Sequence, residues 1–307
     1  MQKMLEQIIL FGAITSFVYA LLALGFTLIY GVSGIINLAH GGFILIGAFA
    51  YGALNVFFSS FFPADFLHVV PVLALIVAAV FTGIIGSIFY RLTLHHLIGD
   101  EIALLVVSVC GCIIFQQIIW LGFGPTLSLH FALPKILEGT TTVAGVNIVN
   151  AQALAAVLSV ILFVSLWIFI AKTKTGKAMK ALSQDLEAAM LVGVSVEKMY
   201  MLTSAIAAGI ACIAGIFYTS AVQTSVNDTP LTWLKTLALS FSVVVLGGLG
   251  SIKGTLIGAL IFGYALTIFD QSFSETGNLI TSFPFIIMII VLIIRPKGLF
   301  GKRIEME

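Results

Sequence analysis

Long apolar segments alternate with short polar ones along the whole chain, and this pattern predicts its architecture. The apolar segments are residues 10–31, 35–58, 69–90, 102–121, 151–171, 200–221, 233–249, 254–270 and 279–294. A helix needs about 20 apolar residues to cross a bilayer. The segments on either side of Ser251 and Lys253 are joined so closely that we treat them as candidate re-entrant half-helices. The pattern therefore predicts an all-α polytopic membrane protein with about eight or nine transmembrane segments, some of them broken or re-entrant.

Composition agrees with this pattern. The chain is 60% hydrophobic and 9% charged, whereas soluble domains are about 25% charged. No Asp, Glu, Lys or Arg occurs from Gln7 to Ala64, and the N-terminus resembles a first span rather than a removable signal peptide. We expect one transmembrane domain over residues 1–307. The net charge of +1 gives no reason to expect a nucleic-acid partner.

The distribution of lysine and arginine predicts the orientation. Basic residues gather in the loop at about 172–198 and in the C-terminal tail, so the positive-inside rule places both in the cytoplasm. Counting spans then places the stretch at about 122–150, punctuated by Pro125, Pro134 and Gly139, on the external side, together with the N-terminus.

The stretch from Leu24 to Gly47 is apolar enough for lipid but contains six glycines, and Asn37 and His40 lie at its middle. Each glycine weakens a helix by about 1 kcal/mol relative to alanine. The stretch therefore predicts an interrupted or very closely packed helix. Two interpretations remain open: the polar residues line a solute path through a discontinuous helix, or they form hydrogen bonds that join packed helices.

A path through this protein would be lined by uncharged groups. The spans contain no relay of Asp, Glu and His residues and no row of arginines, which favours a neutral or zwitterionic solute over a free ion. The candidate pathway residues are Gly31, Gly34, Asn37, His40 and Gln116, and we expect a close approach of another backbone at Gly31 and at Gly34.

The loop at 172–198 predicts a short amphipathic helix. Lys177, Lys180, Gln184 and Glu187 fall on one side, Met179, Leu182, Leu186 and Met190 on the other, and Gly193 ends it. The helix either lies on the inner leaflet or docks into a groove on a partner protein. The acidic Asp185 and Glu187 among the lysines favour the protein partner.

A third stretch, residues 243–258, has the small-residue spacing of closely packed helices in lipid. Gly247, Gly248, Gly250 and Gly254 are the predicted packing positions, with Gly258 continuing the four-residue period.

Nothing in the sequence predicts catalysis, a metal site or a bound cofactor. The three cysteines predict no disulfide framework. The nearest approach to a phosphate loop, at Gly176 and Lys177, lacks the required glycine and hydroxyl residues. If ATP drives transport, the ATPase must be a separate chain.

Four motifs together resemble those of the inner-membrane permeases of branched-chain amino-acid ABC importers. They are GFTLIYGVSGIINLAHG at 25–41, GKAMKALSQDLEAAMLVGV at 176–194, LGGLGSIKG at 246–254 and RPKGLFG at 295–301. Their order and spacing hold from about residue 8 to 301, and the absence of an extra domain resembles the H-type rather than the M-type subunit. The chain departs from the family pattern at Gly42, after Arg91 and at Lys253, where an acidic residue, a proline-rich basic run and a proline are frequent.

The resemblance implies a type II importer fold and a complex in the bacterial inner membrane. Its other members would be a second permease subunit (M-type or a second copy), two cytoplasmic ATPases that bind ATP and Mg²⁺, and an extracytoplasmic solute-binding protein. Family members also import urea and short amides, so the solute stays open. An ATP-independent facilitator is the alternative. The segment at 176–194 would couple to the ATPase through Lys177, Lys180, Asp185, Glu187, Ala189 and Gly193.

Overall fold

The computed structural model describes residues 2–63, 66–128, 137, 139–143, 145–222, 232–272, 279–295 and 298–301. In this part of the chain the helices are α1 Gln2–Ser33, α2 His40–Phe61, α3 Val70–Leu92, α4 Glu101–Ser128, α5 Asn150–Lys172, α6 Lys174–Leu182, α7 Leu186–Leu191, α8 Val196–Val222, α9 Thr232–Gly247, α10 Ile252–Ser272 and α11 Leu279–Ile294. A 3-10 helix follows α3 at Leu94–Leu97, and the two strands are β1 Thr140–Val143 and β2 Val146–Val149.

Seven of the described helices are long and apolar enough to cross a membrane, namely α1, α2, α3, α4, α5, α8 and α10. Two shorter apolar stretches, Trp233–Gly247 and Phe285–Ile294, lie in α9 and α11. Every predicted apolar segment therefore corresponds to a helix, and the prediction of an all-α polytopic membrane protein is confirmed. Of the two candidate half-helices, α9 has 16 residues and is shorter than a full crossing, whereas α10 has 21 residues and is long enough to cross, so the prediction of a half-helix is wrong for α10.

Helix α1 is the centre of the bundle. Its residues 18–24 are each at most 6% exposed, because α10, α8, α5 and α9 all pack against it. A helix that is apolar all round has to be buried in this way or face lipid. Helices α3, α4 and α5 lie at the periphery, and the apolar residues on their outer faces are exposed.

The two ends of the bundle differ. At one end, which we call the α6 end, the last turn of α1 meets α5, α6 and the turn between α9 and α10. At the other end, β1 and β2 form an antiparallel hairpin whose Val146 and Ile148 pack on Ile14 of α1. The hairpin was not predicted within the stretch at about 122–150. Each strand has only four residues, and β1 is exposed along its length, so no alternating pattern marks it. The start of the predicted loop is also wrong, because α4 continues to Ser128 and includes Pro125. Pro134 and most of the stretch at 129–138 lie outside the described residues.

The single amphipathic helix predicted in the loop at 172–198 is wrong, because the segment forms the two helices α6 and α7. Met179 and Leu182 of α6 are buried as predicted, whereas Leu186 and Met190 of α7 are exposed. The break falls at Ser183 to Asp185, where Asp185 starts a new helix as its N-cap.

Candidate functional site

Helix α1 is separated from α2 by residues 34–39, which form no helix. Gly34 has a φ of +69° and its N–H donates to the carbonyl oxygen of Tyr30 at 2.9 Å, closing the end of α1. This left-handed conformation suits glycine, because other L-residues are strained there. The structure therefore contains the interruption that the glycine-rich stretch predicts.

The link runs back along α1 rather than away from it. His40 is the first residue of α2, and its Nε2 lies 2.9 Å from the carbonyl oxygen of Leu22. Leu22 is eleven residues before Ser33, about 16 Å along the helix, and six extended residues span about 20 Å. The thiol of Cys112, eleven residues into α4, donates to the carbonyl oxygen of Leu38 at 3.1 Å. Helix α2 thus begins deep inside the bundle.

Asn37 and His40 are buried at this helix start, at 2% and 0% exposure. The Oδ1 of Asn37 accepts from the N–H of Ala39 at 3.0 Å, and the ring of His40 meets the Phe26 ring edge-on. A carbonyl oxygen only accepts, so Nε2 of His40 carries the proton that binds Leu22. Asn37 Nδ2 and His40 Nδ1 have no hydrogen-bond partner among the described residues. Each side chain therefore has one polar atom with a hydrogen-bond partner and one buried polar atom without a partner among the described residues.

A second helix start meets the first. Helix α9 begins at Thr232, and a Cβ on Gly41 of α2 would lie 2.7 Å from the carbonyl oxygen of Trp233. Trp233 is 5% exposed, and its Nε1 has no partner among the residues that the structure describes. Sequence reasoning missed Trp233 and Cys112. One sequence feature could have pointed to Trp233, because it begins the apolar segment 233–249, which is too short to cross a membrane.

Gln116 lies outside this cluster. It is half-buried on α4, one helical turn beyond Cys112, and it makes no hydrogen bond to another described residue. The structure thus brings Asn37 and His40 together with Cys112 and Trp233, and leaves Gln116 on the neighbouring turn.

The glycines at the α6 end have different roles. A Cβ on Gly31 would lie 3.1 Å from the carbonyl oxygen of Gly250, so the two backbones touch. Nothing lies within 4 Å of a Cβ on Gly34. The predicted close backbone approach at Gly34 is therefore wrong, and the positive φ is the reason for glycine there. One turn from Gly31, the hydroxyl of Thr27 lies 2.7 Å from that of Thr255 on α10.

Helices α9 and α10 form a tight hairpin. Gly247 and Gly254 pack backbone to backbone, and Gly258 packs against Gly247. Gly248 and Gly250, with φ of +102° and +77°, lie in the turn between the two helices. The prediction that Gly250 and Gly254 share one helical face is therefore wrong, because Gly250 is not in a helix.

The C-terminal segment 298–301, which we call the strap, closes over the α9–α10 turn. The N–H groups of Leu299 and Phe300 donate to the carbonyl oxygens of Leu246 and Gly247, each at 3.0 Å. These carbonyls end α9 and have no partner within that helix. The strap therefore provides the hydrogen bonds that α9 lacks at its end.

The segment α6–α7 is anchored on its apolar side and exposed on its polar side. Met179 is 0% exposed and Gly176 packs against the backbone of Ile170 on α5. Four of the predicted coupling residues, Lys177, Lys180, Asp185 and Glu187, are exposed.

The remaining two coupling residues hold α7 in place. Ala189 is 3% exposed, and Gly193 ends the segment with a φ of +84°. Asp185 also has a local role, because its Oδ1 accepts from the N–H of Ala188 at 2.9 Å. The segment therefore presents charges on α6, which packs on α5, α8 and α1, and on α7, which packs on α6 and leaves Leu186 and Met190 exposed.

The comparisons with known proteins agree over nearly the whole chain. The family profile described as branched-chain amino acid transport system, permease component, matches residues 8–292. The chain is 30% identical to the permease LivH of Escherichia coli (strain K12), covering 92% of this chain and 91% of LivH. It is 28% identical to BraD of Pseudomonas aeruginosa, covering 92% of each chain.

The similarity extends to a second subunit type. The chain is 26% identical to LivM of Escherichia coli (strain K12), covering 94% of this chain and 68% of LivM. No solved structure matches the chain. Because the profile covers 8–292 and LivH is matched over most of its length, the chain belongs to the family of branched-chain amino acid transport system permeases.

Proposed function

We propose that the chain is the permease subunit of an ATP-driven importer in a bacterial inner membrane, with its C-terminus in the cytoplasm. The solute is a branched-chain or other hydrophobic amino acid, or a related small neutral or zwitterionic solute such as urea or a short amide. The observation that carries this proposal is the anchored, charged α6–α7 segment in a chain similar over 92% of its length to LivH. The proposed complex includes a LivM-like permease or a second copy, two ATPases that bind ATP and Mg²⁺, and an extracytoplasmic binding protein.

The α6–α7 segment is placed to transmit movement into the bundle. Helix α6 packs on α5, α8 and α1, so a displacement of its exposed side would reach the last turn of α1. That turn touches the α9–α10 turn through Gly31 and Gly250. Backbones in contact move together, because packed interfaces have few intermediate arrangements. ATP-driven closure of the ATPases would in this way open and close the path by alternating access.

The start of α2 is the proposed contact point for the solute. Asn37 Nδ2 and Trp233 Nε1 are free hydrogen-bond donors, and His40 Nδ1 is a free acceptor. The N-terminal ends of α2 and α9 add their positive dipole ends to the same region. Donors and an acceptor together suit a zwitterionic or amide head group, and the surrounding apolar residues suit an aliphatic side chain.

The coupling assignment is tested in vesicles that contain the whole complex. Asp185→Asn and Glu187→Lys should abolish ATP-driven uptake while the protein still folds, inserts and binds solute. Asparagine can still accept the N-cap hydrogen bond of α7. Loss of uptake in Asp185→Asn would therefore be due to the lost negative charge and not to a lost cap. Glu101→Lys, which reverses an exposed charge at the α6 end outside α6 and α7, is the matched control. Normal uptake in both test variants would overturn the docking assignment.

Purification of the tagged chain from its own membranes in mild detergent separates the importer from a facilitator. We expect a second permease and one or two ATPases to be recovered with it and identified by mass. Recovery of the chain alone, with residues 172–198 intact, combined with solute flux in vesicles that contain only this chain, would overturn the importer in favour of an ATP-independent facilitator.

A further inference from the structure

A cavity of about 280 Å³ opens at the α6 end between four elements. Its floor is formed by Thr27, Leu28, Gly31 and Val32 of α1. Trp167 of α5 lines its wall, and the exposed side chains at its rim are Lys180 of α6, Ser183 directly after α6 and Lys253 at the start of α10. The cavity therefore has an apolar floor and a polar rim.

The rim of the cavity carries positive charge from two separate elements. Lys180 comes from α6 and Lys253 from the start of α10, and no carboxylate lines the cavity. Neither lysine forms an ion pair with another described residue. The one ion pair among the described residues joins Arg91 and Glu197. Two lysines at one opening repel each other, so the rim favours an anion between them.

The cavity also reaches the surface that faces lipid. Trp167 lines it and is 47% exposed on the outside of α5, next to the exposed Ile168. Thr27 lies six residues before the end of α1, about 9 Å into the bundle. A molecule in this cavity would have its apolar part in the hydrocarbon layer and its charged part at the level of the lysines.

We propose that this cavity binds the phosphate group of an anionic phospholipid from the cytoplasmic leaflet, with Lys180 and Lys253 holding the phosphate and an acyl chain leaving past Trp167. Basic pockets between transmembrane helices on the cytoplasmic side select such head groups, and tryptophan prefers the same interfacial depth. The lateral opening at Trp167 favours a lipid over soluble phosphate. One head group would contact both α6 and the start of α10, and so link the coupling segment to the α9–α10 hairpin.

The test uses Trp167 as a local reporter in the purified full-length chain. The chain is reconstituted in phosphatidylcholine vesicles that contain brominated phosphatidylglycerol or brominated phosphatidylcholine at equal mole fraction. Bromine quenches nearby tryptophan, and the difference between the wild type and Trp167→Phe isolates Trp167 from Trp120 and Trp233. We expect the brominated phosphatidylglycerol to quench Trp167 preferentially.

Variants at lysines then identify the cause of that preference. Lys253→Gln should lower the preference about fivefold, the contribution of one lysine beside an anionic lipid. Lys253→Arg should keep the wild-type preference, which would show that the loss in Lys253→Gln comes from the missing positive charge and not from a folding defect. Lys198→Gln, at an exposed cytoplasmic-loop lysine outside the cavity, should leave the preference unchanged.

Three results would overturn the proposal. The first is equal quenching by both brominated lipids in the wild type. The second is an equal loss of preference in Lys253→Gln and Lys198→Gln, which would show general surface attraction. The third is loss of the preference on adding inorganic phosphate but not chloride at equal ionic strength, which would assign the cavity to a soluble phosphate instead. The choice of the cytoplasmic leaflet rests on the proposed orientation, but none of these measurements requires uptake, so failure of the importer proposal would be distinguishable from failure of this one.

Discussion

Gly31 of α1 and Gly250 of the α9–α10 turn touch backbone to backbone. A Cβ on Gly250 would lie 3.2 Å from the Cα of Gly31, and a Cβ on Gly31 would lie 3.1 Å from the Gly250 carbonyl oxygen. Any side chain at either position has to move the other segment. The contact joins the last turn of α1 to the turn between α9 and α10, which the strap covers.

Valine at Gly31 is expected to block uptake and to lower the free energy of unfolding by about 1–3 kcal/mol, the usual cost of overpacking. Uptake in vesicles and thermal unfolding in detergent measure the two effects. Gly122→Val is the matched control, because nothing lies within 4 Å of a Cβ on that residue. Uptake at the wild-type rate in Gly31→Val would contradict the close contact.

The stability cost of a substitution at Gly34 should depend on how well the new residue adopts a positive φ, and not on the volume of its side chain. Its φ is +69° with open space around it, so Gly34→Ala should cost about 1–2 kcal/mol and Gly34→Val more. Gly34→Asn should be tolerated best, because asparagine enters this left-handed region more readily than other non-glycine residues. Thermal unfolding of the three variants checks the order. A ranking by size, with Asn as damaging as Val, would disprove the conformational explanation.

His40 should be replaceable by a side chain that still donates to the Leu22 carbonyl oxygen. We expect His40→Gln to retain more uptake than His40→Leu, and His40→Leu to lose about 1 kcal/mol of stability with the hydrogen bond. Both variants are compared for initial uptake rate at equal amounts in the membrane. Equal rates would mean that the anchoring of α2 at Leu22 has no functional role.

Thr27 and Thr255 should be energetically coupled across α1 and α10. Their hydroxyl oxygens are 2.7 Å apart, and hydrogen bonds between helices in membranes contribute about 0.6 kcal/mol on average. A double-mutant cycle with Thr27→Val and Thr255→Val should give a coupling energy near that value. Thr82→Val, whose hydroxyl bonds within α3, should add to Thr27→Val without coupling. A coupling of zero in the first cycle would remove this link between the helices.

The apolar segments were predictable because span length is set by the bilayer, and each of the nine predicted segments corresponds to a helix. The interruption after α1 was also predictable, since Gly31, Gly34, Gly41 and Gly42 concentrate there. The direction of the link was not. That the link folds back to place His40 beside Leu22 depends on the packing of α4 and α9, which no local pattern records.

Other features depended on contacts that are distant in sequence. The division between α6 and α7 follows from the N-cap at Asp185, which the helical periodicity of Met179 and Leu182 obscured. Trp233 was missed because its significance lies in its contact with Gly41, almost two hundred residues earlier. The four-residue period of Gly250 and Gly254 predicts one helical face, but Gly250 lies in the turn and only Gly254 lies in α10.

The strap has a consequence for the order in which this protein reaches its final form. The donors that complete the end of α9 belong to residues 53 positions after the carbonyl groups they bind. During synthesis the chain leaves the ribosome from its N-terminus, so α9 and α10 are made while their last hydrogen-bonding partners are still missing. The α6 end is therefore completed only after residues 298–301 have been made and have closed over the glycine turn.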